Sequence, residues 1–107
     1  MNSDHLRGHL DALVLAVLSD GPAHGYGVIE RLRDRSEHQL DLAEGTVYPA
    51  LHRLESRGDL TASWHVVQGR RRKVYEVSGV GAESLAGHRR QWLRTSGLIT
   101  QLLGAGS

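Results

Sequence analysis

Apolar residues recur at Leu6, Leu10, Leu13, Val14, Val17 and Leu18. That is the spacing of one helix face, and it predicts a first amphipathic helix over residues 5–19. Asp20-Gly21-Pro22 ends it with turn chemistry. Val28, Ile29 and Leu32 then mark the inner face of a second helix over residues 25–36, with Glu30, Arg31, Arg33 and Asp34 outside. A turn from Ser36 to Ala43 leads into a third helix. Thr46 is its expected N-cap, Pro49 falls at its third position, Leu51 and Leu54 anchor its buried side, and Gly58 stops it. From Leu60 to Val66 apolar and polar residues alternate strictly, as in a half-buried strand, which puts Trp64 on the core side with Leu60 and Ala62. A loop around Gln68-Gly69-Arg70 joins it to a second strand near Arg72 to Ser78. From Ala82 onward Leu85, Ala86, Trp92, Leu93, Ile99, Leu102 and Leu103 trace a long amphipathic helix, with Gly97 as a point of weakness.

Three helices, two strands and a final helix make a mainly α fold with a small β-hairpin. This is a winged helix-turn-helix plus a C-terminal helix. The expected division is a winged helix-turn-helix unit over residues 1–79 and a dimerisation helix over residues 80–107, packed as one compact unit. The last helix has more apolar surface than a three-helix core can cover. Pairing with a second copy would cover it, with Leu85, Trp92 and Ile99 as candidate interface positions.

Composition narrows this picture. With 39% apolar and 23% charged residues the chain has the make-up of a globular protein. Phe is absent, so the core is lean and oligomerisation is an expected source of stability. The lack of Cys excludes disulfides and thiolate metal sites and fits a reducing cytoplasm, the expected location. The longest apolar run, Ala12 to Leu18, falls far short of the roughly 20 residues that span a bilayer. Asp4 and Asp11 precede that run, so neither a signal peptide nor a membrane partner is expected. Net charge is only +1, but residues 44–73 carry five Arg and one Lys against three acids, whereas residues 1–43 carry four Arg against seven. The positive charge therefore gathers on the third helix and the hairpin, as a surface for phosphate would require.

Several segments occur together in a fixed order. They are Leu13 to Leu18, Pro22-x-His24-Gly25-Tyr26, Leu42-x-x-Gly45-Thr46-Val47-Tyr48-Pro49-Ala50-Leu51, Arg53-Leu54-Glu55, Gly58-x-Leu60, Trp64, Gly69-Arg70-x-Arg72-Lys73-x-Tyr75 and Trp92. In this combination, across roughly residues 10–92, the chain resembles PadR-type transcriptional regulators, in their compact branch with a single short C-terminal helix. The resemblance implies a dimeric winged-helix repressor on pseudo-palindromic operators in double-stranded DNA, released by an effector. It also implies that the third helix enters the major groove and the wing approaches the minor groove. Asp59 departs from the pattern, standing where such proteins often carry an apolar or neutral residue.

The residue chemistry suits that expectation. Arg53 and Arg57 lie four apart and share a helix face, able to meet phosphates or a guanine edge. Thr46 and Tyr48 lie near the helix N-terminus, where N–H dipoles favour phosphate, and Pro49 and His52 complete the candidate surface. In the wing, Gly69 permits a tight turn while Arg70, Arg71, Arg72 and Lys73 supply cations, although alternation turns one of Arg72 and Lys73 away from DNA.

Two effector chemistries are open. The resemblance implies that Trp92 can stack on a flat aromatic small molecule between subunits; the competing role is packing of the dimer core. Separately, His5 and His9 are four apart on the first helix and can share a divalent transition-metal ion, with Asp4 as a third ligand; surface imidazoles with no such role are the alternative. No cofactor is expected to be required.

Enzyme chemistry lacks its usual motifs: there is no His-Glu-x-x-His, phosphate-binding loop or serine elbow. Gly79-x-Gly81 resembles the start of a dinucleotide loop, but Ser84 stands at its sixth position and no βαβ unit surrounds it. The alternative to a DNA-binding regulator is a winged-helix protein–protein interaction module, which would not need the arginine cluster.

Overall fold

A computed structural model describes residues 8–104. Its elements run α1 (Leu10–Leu18), β1 (Ala23–His24), α2 (Gly25–Arg35), α3 (Glu44–Ser56), β2 (Leu60–Val67), β3 (Arg70–Val77) and α4 (Gly79–Leu103). The three strands form an antiparallel sheet in the order β1-β3-β2. The start expected for the first helix, residue 5, lies outside the described residues.

One core joins the helices to the root of the hairpin. Val14, Leu15 and Leu18 of α1 meet Val28 and Leu32 of α2, Val47, Leu51 and Leu54 of α3, Leu60 of β2, Tyr75 of β3 and Leu85 of α4. Each of these side chains, fully buried, contributes about 1.5–3 kcal/mol from loss of hydrated surface.

The helix ends show why the chain turns where it does. His24 caps α2, its Nδ1 accepting from the Gly27 N–H at 3.3 Å. Arg31 differs from expectation. Instead of facing water it reaches back to α1, donating through Nη1 to the carbonyls of Val17 (3.0 Å) and Gly21 (2.6 Å). Arg35 adds a bond to the Ala16 carbonyl, so two cations close the negative end of α1. The third helix begins two residues earlier than Thr46, with Ala43 as N-cap and its carbonyl accepting from Thr46 and Val47. Thr46 is therefore the third helical residue and Pro49 the sixth. Proline there cannot donate to the Gly45 carbonyl, and both residues are exposed, where water can satisfy that oxygen. Gly58, at φ +85°, ends the helix: its N–H bonds to Glu55 and that of Asp59 to Leu54, the paired bonds of a Schellman stop.

Four further differences from the sequence reading follow. The strand β1 is only two residues long and pairs Ala23 with Tyr75 and His24 with Val74. Trp64 is not a core residue: it is 58% exposed. Alternation did place it on the face of Leu60 and Ala62, but the hairpin has by then run past the core. Gly79 and Gly81 begin α4 instead of separating it from β3, with Ser78 as N-cap accepting from the Gly81 N–H at 3.0 Å. Gly97 does not interrupt the helix.

The final helix leaves the body of the protein. The radius of gyration is 15.2 Å, against about 13 Å for a compact chain of this length. Leu85, Trp92 and Ile99 recur every seven residues, with His88, Thr95 and Leu102 each three residues further on. This stripe starts inside the core at Leu85, is half-covered by α1 at Trp92, and is exposed from there to Leu103.

Candidate nucleic-acid interface

The Schellman stop and the buried row Val47, Ala50, Leu51 and Leu54 fix which side of α3 faces out. Thr46, Pro49, His52, Arg53 and Arg57 all lie on the exposed side. Pro49, His52, Arg53, Ser56 and Arg57 line one shallow groove along it. Tyr48 does not share that surface fully: its half-buried ring packs over Gly25 at the start of α2.

Arg53 and Arg57 meet an acid that sequence spacing did not reveal. Arg53 Nη2 donates to Asp11 Oδ1 at 2.8 Å and Arg57 Nη2 to Asp11 Oδ2 at 2.9 Å. Asp11 precedes Arg53 by 42 positions, so no local pattern connects them.

Across from α3, Gln68 (φ +52°) and Gly69 (φ +77°) form a two-residue turn with both central φ values positive. That turn type matches the twist of a hairpin, and Val67 pairs with Arg70 directly across it. Arg70 and Arg71 are exposed at the tip, and the Arg71 guanidinium lies 5.2 Å from the Trp64 ring centre. An exposed cation–π contact of this kind contributes about 0.5–1 kcal/mol and orients the guanidinium. Arg72, opposite His65, is partly buried. Lys73 turns back toward α3, where its Nζ donates to Glu55 Oε1 at 2.8 Å and lies 5.5 Å from the Tyr75 ring centre. The Glu55 bond, above all, raises the Lys73 pKa against the lowering effect of burial. Burial raises that of the Tyr75 phenol, with the Lys73 charge opposing. Lys73 thus ties wing to helix, and the exposed charge at the tip is that of Arg70 and Arg71.

A second feature lies where α1 packs against α4. His9 Nδ1 is 3.1 Å from His88 Nε2, and the His9 ring stands edge-on to Trp92 with centroids 5.2 Å apart. Beside them Ala12, Leu13, Leu85 and Trp92 line a mostly apolar cavity of about 360 Å³. Leu85 is part of the chain's own core, whereas Trp92 and Ile99 are 51% and 48% exposed. Asp4 and His5, expected with His9 as metal ligands, lie outside the described residues. Among the described residues no group of three or more metal-ligating side chains forms, and no helix is long and apolar enough to cross a membrane.

Asp59 is buried but satisfied, its Oδ1 accepting from Ser84 Oγ at 3.1 Å. An acid fits at this position because α4 supplies its partner.

Known proteins share this fold. A transcriptional regulator of Clostridium thermocellum superposes with a TM-score of 0.85 at 26% identity, covering 94% of this chain and 96% of that one. A PadR family transcriptional regulator of Eggerthella lenta does so at 0.79 and 33% identity, covering 94% and 82%. Transcriptional regulator Rv3488 of Mycobacterium tuberculosis is 38% identical over 77 residues, or 72% of this chain and 69% of its own length. The model of the transcriptional regulator PadR-like family matches residues 14–87, from within α1 into α4. With that match spanning the core, the helix-turn-helix and the wing, the chain belongs to the PadR-like family of transcriptional regulators.

Proposed function

We propose that the protein is a homodimeric repressor whose two α3 helices enter successive major grooves of a pseudo-palindromic operator, with the wing tips at the flanking minor grooves. The observation that carries this reading is the exposed row Thr46, Pro49, His52, Arg53 and Arg57 on α3, with Arg70 and Arg71 on the wing. Pairing through the uncovered stripe of α4, at Trp92, Ile99 and Leu102, would produce the two-fold arrangement. Half-sites would then lie about one DNA turn apart, roughly 34–36 Å.

Effector release is assigned to the α1–α4 cavity. Its apolar lining and the exposed Trp92 ring suit a flat aromatic molecule, which would alter the packing of α4 and hence the separation of the two α3 helices. A divalent transition metal is the competing effector, because an ion held by His9 would also meet His88. No cofactor is required by either reading.

The experiment is fluorescence anisotropy on a duplex from upstream of the protein's own gene, beside a scrambled duplex, with aromatic ligands or zinc added. Preferential binding relieved by an aromatic ligand supports the reading as stated, and relief by zinc selects the metal. Absence of binding to either duplex would favour a protein–protein interaction module instead. Trp64 is also exposed, so any quenching assay of Trp92 belongs in a Trp64→Phe background.

A further inference from the structure

Asp11 stands in the first turn of α1, yet its carboxylate serves α3. It accepts from Arg53 and Arg57 at 2.8 and 2.9 Å, bridging two guanidinium groups one helical turn apart. The arginine side chains are 49% and 54% exposed, the carboxylate 28%. One acid among two cations leaves the cluster a single net positive charge. Each guanidinium still keeps most of its five N–H donors for an outside partner.

An acid here opposes attraction to phosphate, and its contribution to the fold is small. Ion pairs this exposed contribute little to stability, because water screens them. Helices α1 and α3 already pack together in the core to which Val14, Leu18, Leu51 and Leu54 belong. What the carboxylate does change is the freedom of the two arginines. A long, unrestrained side chain swings to the nearest phosphate of any sequence. Held on one carboxylate, both guanidinium groups are presented in fixed directions, and a duplex gains from both only where its edges and phosphates match.

We infer that Asp11 is a specificity-determining positioning residue, which aims Arg53 and Arg57 while weakening their pull on DNA of arbitrary sequence. This rests on the DNA-binding reading above. Removing the charge should exchange discrimination for general affinity.

The test uses the duplex that wild-type protein selects from a randomised pool, together with its scrambled counterpart. Binding of wild type, Asp11→Asn and Asp11→Glu is measured across a salt series, with circular dichroism melts confirming folding. For Asp11→Asn, affinity for the scrambled duplex should rise about three- to tenfold, with a salt slope steeper by about one per protomer. The selected-to-scrambled ratio should fall at least about threefold, within the range a lost directional contact produces. Asp11→Glu, which restores the carboxylate, should recover part of the ratio. In an Arg53→Ala/Arg57→Ala background, Asp11→Asn should change neither slope nor ratio. An unchanged ratio, an equal gain on both duplexes, or a weaker Asp11→Asn with wild-type slope overturns the inference while leaving DNA binding intact. Wild-type protein that selects no duplex overturns both.

Discussion

The phenol ring of Tyr48 fills the space that a side chain on Gly25 would need: a Cβ built there would lie 2.5 Å from Tyr48 Cζ. The contact lets the start of α2 approach α3 closely, and this approach sets how α3 is presented. Gly25→Ala should therefore destabilise the protein by about 1–3 kcal/mol through overpacking. At this chain length each kcal/mol lowers Tm by about 4–8 °C. Adding Tyr48→Ala should cost less in that background than in the wild type, because it removes the clash. Thermal melts of the four proteins check this; additive losses would contradict it.

Gly81→Ala should be worse. Its Cβ would run into the backbone carbonyl of Asp59, which cannot rotate away as a side chain does. A loss of about 2–4 kcal/mol is expected. Because the same corner anchors α4 through Ser84 and Asp59, protection of amides around Ser84 in hydrogen exchange should fall first.

The raised pKa values of Lys73 and Tyr75 carry a pH dependence. Both groups hold their protons more tightly folded than unfolded. Their contribution is thus fully present below about pH 10, where the unfolded groups titrate, and is lost as pH rises through the folded values. Denaturant midpoints should fall above pH 10 in the wild type. Compared in a Tyr75→Phe background, which removes the phenol that the Lys73 charge also affects, Lys73→Met lacks the bond to Glu55 and should start lower at neutral pH and decline less steeply. An identical decline in the two proteins would remove Lys73 from the explanation.

Leu98, Ile99, Leu102 and Leu103 are 48–80% exposed on a helix that leaves the body of the protein. Dimerisation through α4 predicts sedimentation at twice the monomer mass for the wild type. Ile99→Glu/Leu102→Glu should sediment as a monomer that keeps its helical signal. A variant that remains dimeric would place the interface elsewhere.

Much of the architecture was legible because it is written in short-range spacing. The Leu13–Leu18 period, the Leu51–Leu54 pair, the Gly58 stop and the Gln68-Gly69 turn act within a few residues of themselves. What escaped the sequence depends on distant partners. Two residues, Ala23 and His24, are too few to show alternation, and only β3 makes them a strand. Alternation assigned Trp64 a face but could not say that the core ends beneath it. Arg31 has the look of a surface charge until the end of α1 is placed beside it. Lys73 and Glu55, and Asp11 with its two arginines, meet only once the hairpin and α1 have docked on α3. The exposed face of α3 was thus readable, whereas the ion pairs that restrain it were not.

The most direct test of a DNA-binding surface built from α3 and the wing is the salt dependence of duplex binding by wild type and Arg70→Ala/Arg71→Ala. Anisotropy titrations between about 50 and 200 mM salt give the slope of log affinity against log salt. Loss of two phosphate-facing cations predicts weaker binding on every duplex and a slope shallower by up to about two per protomer. Equal affinity and equal slope for the two proteins would contradict it.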